Sequence, residues 1–398
     1  MAVRAKKTVY LDHAAATPMD ARVFLAMKPF LQNMYGNPSS LHSQGQNAAK
    51  ALAKNRAQIA DILGTNPDNI IFTASGTESD NLAITGSALA HAKPGHIVST
   101  AIEHHAVLHP LQQLEQKGWK VTYLRPRAAD GLFSAEDIMR AVTPDTVLVS
   151  VMFANNEIGS IAPIAEIGRK ILQYRKAHNT VYPLFHTDAC QAASFYDLSV
   201  DKLHIDLLTI NGSKIYGPKG TGLLYARHKN LLKAIILGGG QEFDLRSGTE
   251  NSAGIAGLAQ ALQICQKQAV KDSARLRSLA EYFWKNIQKK ISGVSLTGPA
   301  IGEQRLPNNL HVHFAGVEAE ALLLYLDARG IMASIGSACS SKTMQTSHVL
   351  AALGKNYEET KGGIRFSLGR STSKSDIDYA MKHLPEIVSQ LRALNTLQ

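Results

Sequence analysis

Short, β-branched apolar runs alternate along the chain with longer stretches of helical periodicity. NIIFT (69–73) precedes ESDNLAITGSALAHA, HIVST (96–100) precedes HAVLHPLQQLEQKG, TVLVSVM (146–152) precedes IAEIGRKILQYRKAH, and PLFHTDA (183–189) is followed by LLTI (207–210). Strands followed regularly by helices predict βαβ crossovers and a mostly parallel sheet covered on both faces, an α/β fold. From about residue 250 the pattern changes to a long helical region, then NNLHVHFA, EAEALLLYLDARG, GGIRFSLG and a final helix from Ser375, which predicts a smaller α+β domain. With no repeat or low-complexity linker to mark a boundary, the division is expected near residue 265. Residues 13–265 form the large domain, and 1–12 with 266–398 the small one.

Composition narrows the class without naming a function. Apolar residues are 45% and charged residues 19% of 398, enough for a sizeable core and unlike a disordered chain. The net charge of +10 permits an acidic partner, but charge alone speaks of solubility and steering. Much of it lies in KQAVKDSARLRSLAEYFWKNIQKK (267–290), where lysines interleave with apolar residues as on a solvated helix face. Only 6% of residues are aromatic and no RNA-binding motif occurs, so direct nucleic-acid binding is not expected. Cys190, Cys265 and Cys339 are odd in number and far apart, which disfavours a disulfide framework or structural zinc and favours a reducing compartment. MAVRAKKTVYLDHAAATP lacks an apolar core for export and no stretch reaches membrane-span length, so the expectation is a cytoplasmic protein without membrane contact.

In open α/β sheets ligands bind at the carboxyl ends of the strands, so the residues just after each strand carry the chemistry. After NIIFT, Ser75, Gly76 and Thr77 lead into a helix; this is either an ordinary N-cap or an anion site of free backbone N–H groups. After HIVST come His104 and His105, after TVLVSVM come Asn155 and Asn156, and after PLFHT comes Asp188, with Cys190 and Gln191 close behind. A carboxylate at the end of so apolar a strand requires a cation or donor as partner. Metal binding by this set is disfavoured, because the ligand types sit singly on separate strands without HxH or HExxH spacing. There is no GxGxxG and no P-loop. Lys214, in NGSKIYGPKGTG (211–222), stands at the end of the apolar run DLLTI. A lysine, an aspartate, a histidine and a helix N-terminus at neighbouring strand ends are what a pyridoxal-phosphate enzyme requires: an amine for a Schiff base, a carboxylate for the pyridine nitrogen and a cup for the phosphate.

The motifs YLDHAAATP, GNPSSLH, FTASGTESDNLAI, EHHAVL, NNEIG, TDACQA, KIYGPKGTG, GGGQEFDLRSGTEN, GSACSS and IRFSLGR run nearly end to end in one order. In them the chain resembles the cysteine desulfurases of the IscS/NifS type, which are fold-type I pyridoxal-phosphate enzymes of aminotransferase class V. The resemblance implies a seven-stranded, mostly parallel sheet in the large domain and a homodimer acting on L-cysteine. It further implies that Lys214 carries the cofactor, that Asp188 pairs with the pyridine nitrogen, that His104 stacks on the ring and that Gln191 bonds its phenolic oxygen. Gly76, Thr77, Asn211 and Ser213 would line the cofactor site, Thr249 would reach the phosphate of the other subunit, and Asn155 with Arg365 would bind the substrate carboxylate. Cys339 corresponds to the nucleophile that takes sulfur as a persulfide and passes it to an acceptor protein for Fe–S cluster assembly or tRNA thiolation. Its small neighbours predict an exposed, flexible loop; read without the family, Cys339 is as readily a buried structural thiol.

Departures from the family pattern matter too. Ser213 stands where many relatives have a histidine, and a hydroxyl brings no positive charge to a phosphate. Cys190 is expected to pack rather than react. The sequence ends at RALNTLQ (392–398) without the longer tail with which IscS proteins engage an Fe–S scaffold, leaving delivery to that scaffold open. Selenocysteine lyase or another class V activity, and a non-catalytic homologue, are the alternatives.

Overall fold

The structure, a computed structural model, describes residues 7–335 and 347–395. Cys339 lies outside the described residues. Among the described residues twelve strands occur in the order β1 (Val9–Tyr10), β2 (Ile70–Thr73), β3 (His96–Thr100), β4 (Lys120–Leu124), β5 (Thr146–Ser150), β6 (Leu184–Asp188), β7 (Leu207–Asn211), β8 (Gly222–Ala226), β9 (Val294–Leu296), β10 (Asn309–Phe314), β11 (Ile331–Met332) and β12 (Gly363–Ser367). Seven of them form one sheet in the order β2-β8-β7-β6-β5-β3-β4. β8 is antiparallel to both neighbours and the other pairings are parallel, so β2, β3, β5, β6 and β7 end on the same edge.

The continuous apolar character of these strands follows from burial on both faces. On one side Val98, Val149, Phe185 and Leu208 pack on helical residues such as Ile59, Ile167 and Leu258. On the other, Ile97, Leu148, Leu184 and Leu207 meet Leu82, Ile84, Val107 and Leu111. β4 and β8 were not foreseen. β4 is partly exposed along its length, without the fully apolar run that marks its neighbours, and GLLYA reads as part of the glycine-rich turn that precedes it.

A second core collects Val9, Leu11, Leu310, Val312, Phe314, Ile364, Phe366 and residues of the last helix, Lys374–Asn395. Its three-stranded antiparallel sheet runs β12-β10-β9, and β1 pairs with β11 alongside. The helix Ser252–Lys290 serves both cores: Ile255, Leu258 and Leu262 enter the first, and Leu276, Ala280, Phe283 and Ile287 the second. The change of partner thus happens inside one unbroken helix, where the sequence has no linker to mark it. Among the described residues no helix is long and apolar enough to cross a membrane.

Candidate active site

At the shared carboxyl edge of the sheet lies a cavity of about 240 Å³. Among its walls are Gly76, Thr77, His104, Asp188, Gln191, Asn211, Lys214 and Arg365, residues that the sequence distributes over almost 300 positions. Each arrives there for a local reason.

Lys214 ends the short 3₁₀ turn Gly212–Lys214 that follows β7. Asn211 closes this turn, its Oδ1 accepting from the Ser213 N–H at 2.9 Å and from the Ser213 hydroxyl at 3.0 Å. A Cβ on Gly212 would stand 2.5 Å from Thr221 Oγ1, so the turn packs this tightly only with glycine. The lysine is thereby aimed inward, and its Nζ donates to the carbonyls of Ala14 at 3.1 Å and Ala15 at 2.5 Å. The same N-terminal segment is held by Gln191 Nε2 on Ala14 O at 3.0 Å and by Thr17, whose hydroxyl donates to Ser213 O at 2.9 Å. Burial lowers the Lys214 pKa, and the Arg365 guanidinium pushes the same way, which favours a free amine.

The helix Gly76–Ala90 begins directly after β2, with Ser75 capping the N–H of Glu78 at 3.1 Å. Its first-turn N–H groups, those of Gly76 and Thr77, have no protein acceptor among the described residues and face the cavity end. Glu78 does not spoil this anion site, because Arg246 Nε pairs with it at 2.8 Å. A side chain on Gly76 would come within 2.9 Å of Cys190 Sγ. Cys190 itself is buried, and burial together with Asp188 and Asp80 raises its pKa well above the usual thiol value, as befits a packing thiol.

Asp188, the last residue of β6, accepts the Cys190 N–H at 2.8 Å. His104 caps the helix His105–Glu115: its Nδ1 accepts from Ala106 N–H at 3.1 Å, which leaves the proton on Nε2, and burial lowers its pKa so that the ring is neutral. Arg365, on β12, donates to Asn156 O at 3.1 Å and pairs with Asp12 at 2.9 Å. It brings the second core's only cationic side chain on the cavity wall, among the described residues.

The Aminotransferase class-V family profile matches residues 9–380. Cysteine desulfurase IscS of Dictyoglomus turgidum is 44% identical over 391 residues, covering 98% of this chain and 97% of that protein. The chain belongs to the cysteine desulfurase family of class-V aminotransferases. Putative cysteine desulfurase IscS 1 of Bacillus subtilis is 42% identical over 96% of this chain and 99% of its own length. Among solved structures, a NifS-like protein superposes with a TM-score of 0.88 at 34% identity, over 96% of this chain and 100% of that one. SspA in complex with cysteine gives 0.77 at 36% identity, over 91% and 99% of the two chains.

Within this desulfurase frame some expected residues stand elsewhere. Asn155 does not line the cavity: it is fully buried, its Nδ2 donates to Ile102 O at 2.9 Å, and its Oδ1 accepts from the N–H groups of Glu157 and Ile158 at 2.9 Å each. Its amide shapes the turn, and the neighbouring Asn156 faces the cavity instead. Ser213 is also off the wall, its hydroxyl engaged by Asn211, and Thr249 lies exposed away from the cavity. Among the polar wall residues, Asp80 and His348 were missed from sequence, and Glu157 was noted only as a hydrogen-bonding neighbour of Asn155 and Asn156. Asp80 sits one helical turn after Gly76, a spacing that places both on one face and was the available signal. Burial, with the negative Asp188 next, raises its pKa well above the ordinary carboxyl value, and His186 Nε2 lies 3.6 Å away.

Proposed function

We propose that the protein is a pyridoxal-phosphate-dependent cysteine desulfurase, converting L-cysteine to L-alanine and leaving the sulfur as a persulfide on Cys339. The observation that carries this reading is the convergence of the Lys214 amine, the Asp188 carboxyl and the free N–H groups of Gly76 and Thr77 on one cavity. These residues fit the cofactor: the first-turn N–H groups and the Thr77 hydroxyl would hold the phosphate, Asp188 the pyridine nitrogen and Gln191 the phenolic oxygen. Bound there, pyridoxal phosphate supplies an electron sink for the charge left when the substrate Cα loses its proton. Lys214, its pKa lowered by burial, removes that proton and later returns one. His104 covers one side of the cavity as a neutral ring and excludes water. Arg365 takes the substrate carboxylate in the fork that now faces Asp12. The Cys339 thiolate attacks the substrate sulfur; the carbon–sulfur bond breaks toward carbon, which is protonated to give alanine, and the transferred sulfur stays on Cys339. An acceptor protein then removes it.

The same reading makes the molecule a homodimer in the cytoplasm, with Thr249 reaching the partner's phosphate. Supporting an intersubunit face, Phe24, Leu25, Leu31, Tyr35 and Leu41 are large, apolar and exposed within one N-terminal stretch. The test is direct: purified protein should be yellow, and cysteine with a reductant should yield alanine and sulfide. Lys214→Ala should abolish both the borohydride-reducible adduct and the alanine. Cys339→Ser should keep the colour and lose the alanine, and alanine formed at the wild-type rate by that variant would overturn the sulfur-transfer role.

A further inference from the structure

Glu157 stands in the turn after β5, on the cavity wall, and is 1% exposed. Its backbone is fixed on both sides: the N–H donates to Asn155 Oδ1 at 2.9 Å and the carbonyl accepts Asn309 Nδ2 at 3.0 Å. One carboxyl oxygen, Oε2, accepts the Ser347 hydroxyl at 2.7 Å. The other, Oε1, has no hydrogen-bond partner among the described residues and lies 3.9 Å from Nε2 of His311, itself buried and without a partner there. A buried carboxyl oxygen left in this state is destabilising, because it has given up water without gaining a donor. A glutamine or an apolar side chain would avoid that cost, so stability alone does not account for glutamate here.

Ser347 gives the reason. It is the first described residue after the segment that contains Cys339, and it caps the helix His348–Ala352, its Oγ accepting Val349 N–H at 3.2 Å. Beside it His348 Nε2 meets Glu103 O at 2.8 Å, and Val349, Leu350 and Leu353 pack on Ile102, Met152 and Ile158. Ile158 follows Glu157 directly. The helix is thus seated on the two strand-end turns that also carry the cavity wall, and Glu157 is the side chain that joins the seat to the cap.

We propose that Glu157 is a positioning residue for sulfur transfer: through Ser347 it fixes, relative to the substrate cavity, the point from which the chain departs toward Cys339. This deepens the desulfurase reading and rests on it. The groups facing the carboxyl are Ser347, His311 on β10 and Arg365 on β12, with Arg305 behind His311. Burial pushes the Glu157 carboxyl up to about 7, opposed by Ser347 and Arg365. His311 is driven down to about 3 by burial and by Arg305 and Arg365, so it stays neutral throughout. Glu157 is therefore the group of this set that changes charge near neutrality, and its bond from Ser347 strengthens as pH rises, since an ionised acceptor holds a hydroxyl more tightly.

The test uses the holoenzyme in a double-mutant cycle, with alanine production and amide exchange of residues 347–353 read together. Glu157→Ala and Ser347→Ala should each lower kcat by about tenfold, the worth of one buried hydrogen bond, with KM for cysteine little changed, and the double variant should be no worse than either. Exchange in 347–353 should rise in both single variants. Glu157→Gln keeps an acceptor for Ser347, so it should restore most of kcat while removing the part of the pH profile that rises near pH 7. Additive losses, or wild-type kcat and exchange in Glu157→Ala, would overturn the proposal. Raised exchange in Glu157→Ala alongside a wild-type protein that makes no alanine would leave the tether standing and sink the desulfurase reading.

Discussion

Ser213 sits beside Lys214, yet its hydroxyl is turned onto Asn211 and closes the lysine's own turn. A phosphate in the Gly76 cup receives no positive charge from this position. Ser213→His should tighten pyridoxal-phosphate retention severalfold, a gain of the order of one charge-assisted hydrogen bond. Cofactor titration followed by absorbance checks it, and unchanged affinity would remove position 213 from the phosphate site. At this scale the sequence was legible where chemistry and place coincide: Asp188 ends an apolar strand, and Lys214, His104 and Thr77 lie within a turn of the end of one. It was least legible where a side chain's direction decides. Asn155 and Asn156 are identical in type and adjacent, and only the turn geometry sends the first inward and the second to the cavity. Asp80 was hidden because it lies on a helix rather than at a strand end, in a stretch read for its cap.

The turns after β3 and β5 are each built around a buried acid. Glu103 accepts Thr100 Oγ1 at 2.7 Å and Met152 N–H at 2.8 Å, tying one turn to the next strand's end, while Glu157 holds Ser347. Burial raises Glu103 to about 8 and Glu157 to about 7, from an ordinary 4.5. A folded-state pKa above the unfolded one means that the native state binds the extra proton. Their contribution to stability is therefore full below about pH 4.5 and is lost as pH rises through 7 to 8. Thermal melts should fall across this window, and Glu103→Gln should flatten the fall; a Tm that rises from pH 5 to 8 in wild type and is unmoved by the substitution would refute the assignment. Elements themselves were read well from pattern where both faces are covered. β8 escaped because its apolar residues directly follow the glycines of the preceding turn, and its antiparallel direction depends on a tertiary pairing with β2 and β7.

In the whole molecule the sequence suggested a boundary near residue 265, and the two cores exchange partners between Cys265 and Leu276 on one helix. We propose that the division between the domains falls there. A proline at Gln268 would remove a helical hydrogen bond between the cores at a cost of about 3 kcal/mol. Gln268→Pro should split a single calorimetric transition into two, and one unshifted transition would show that the helix does not couple them. The helix of 39 residues spans about 58 Å. On the proposed mechanism, the amine that works on the substrate would belong to one core and the guanidinium that grips its carboxylate to the other, so the pair would behave like the jaws of a caliper mounted on a single bar. Beside the cavity the same gap is pinned a second time, by Arg365 on Asn156 O at 3.1 Å and by Asn309 on Glu157 O at 3.0 Å, so a substrate longer than cysteine would have to pry these jaws apart at the very place where it reacts.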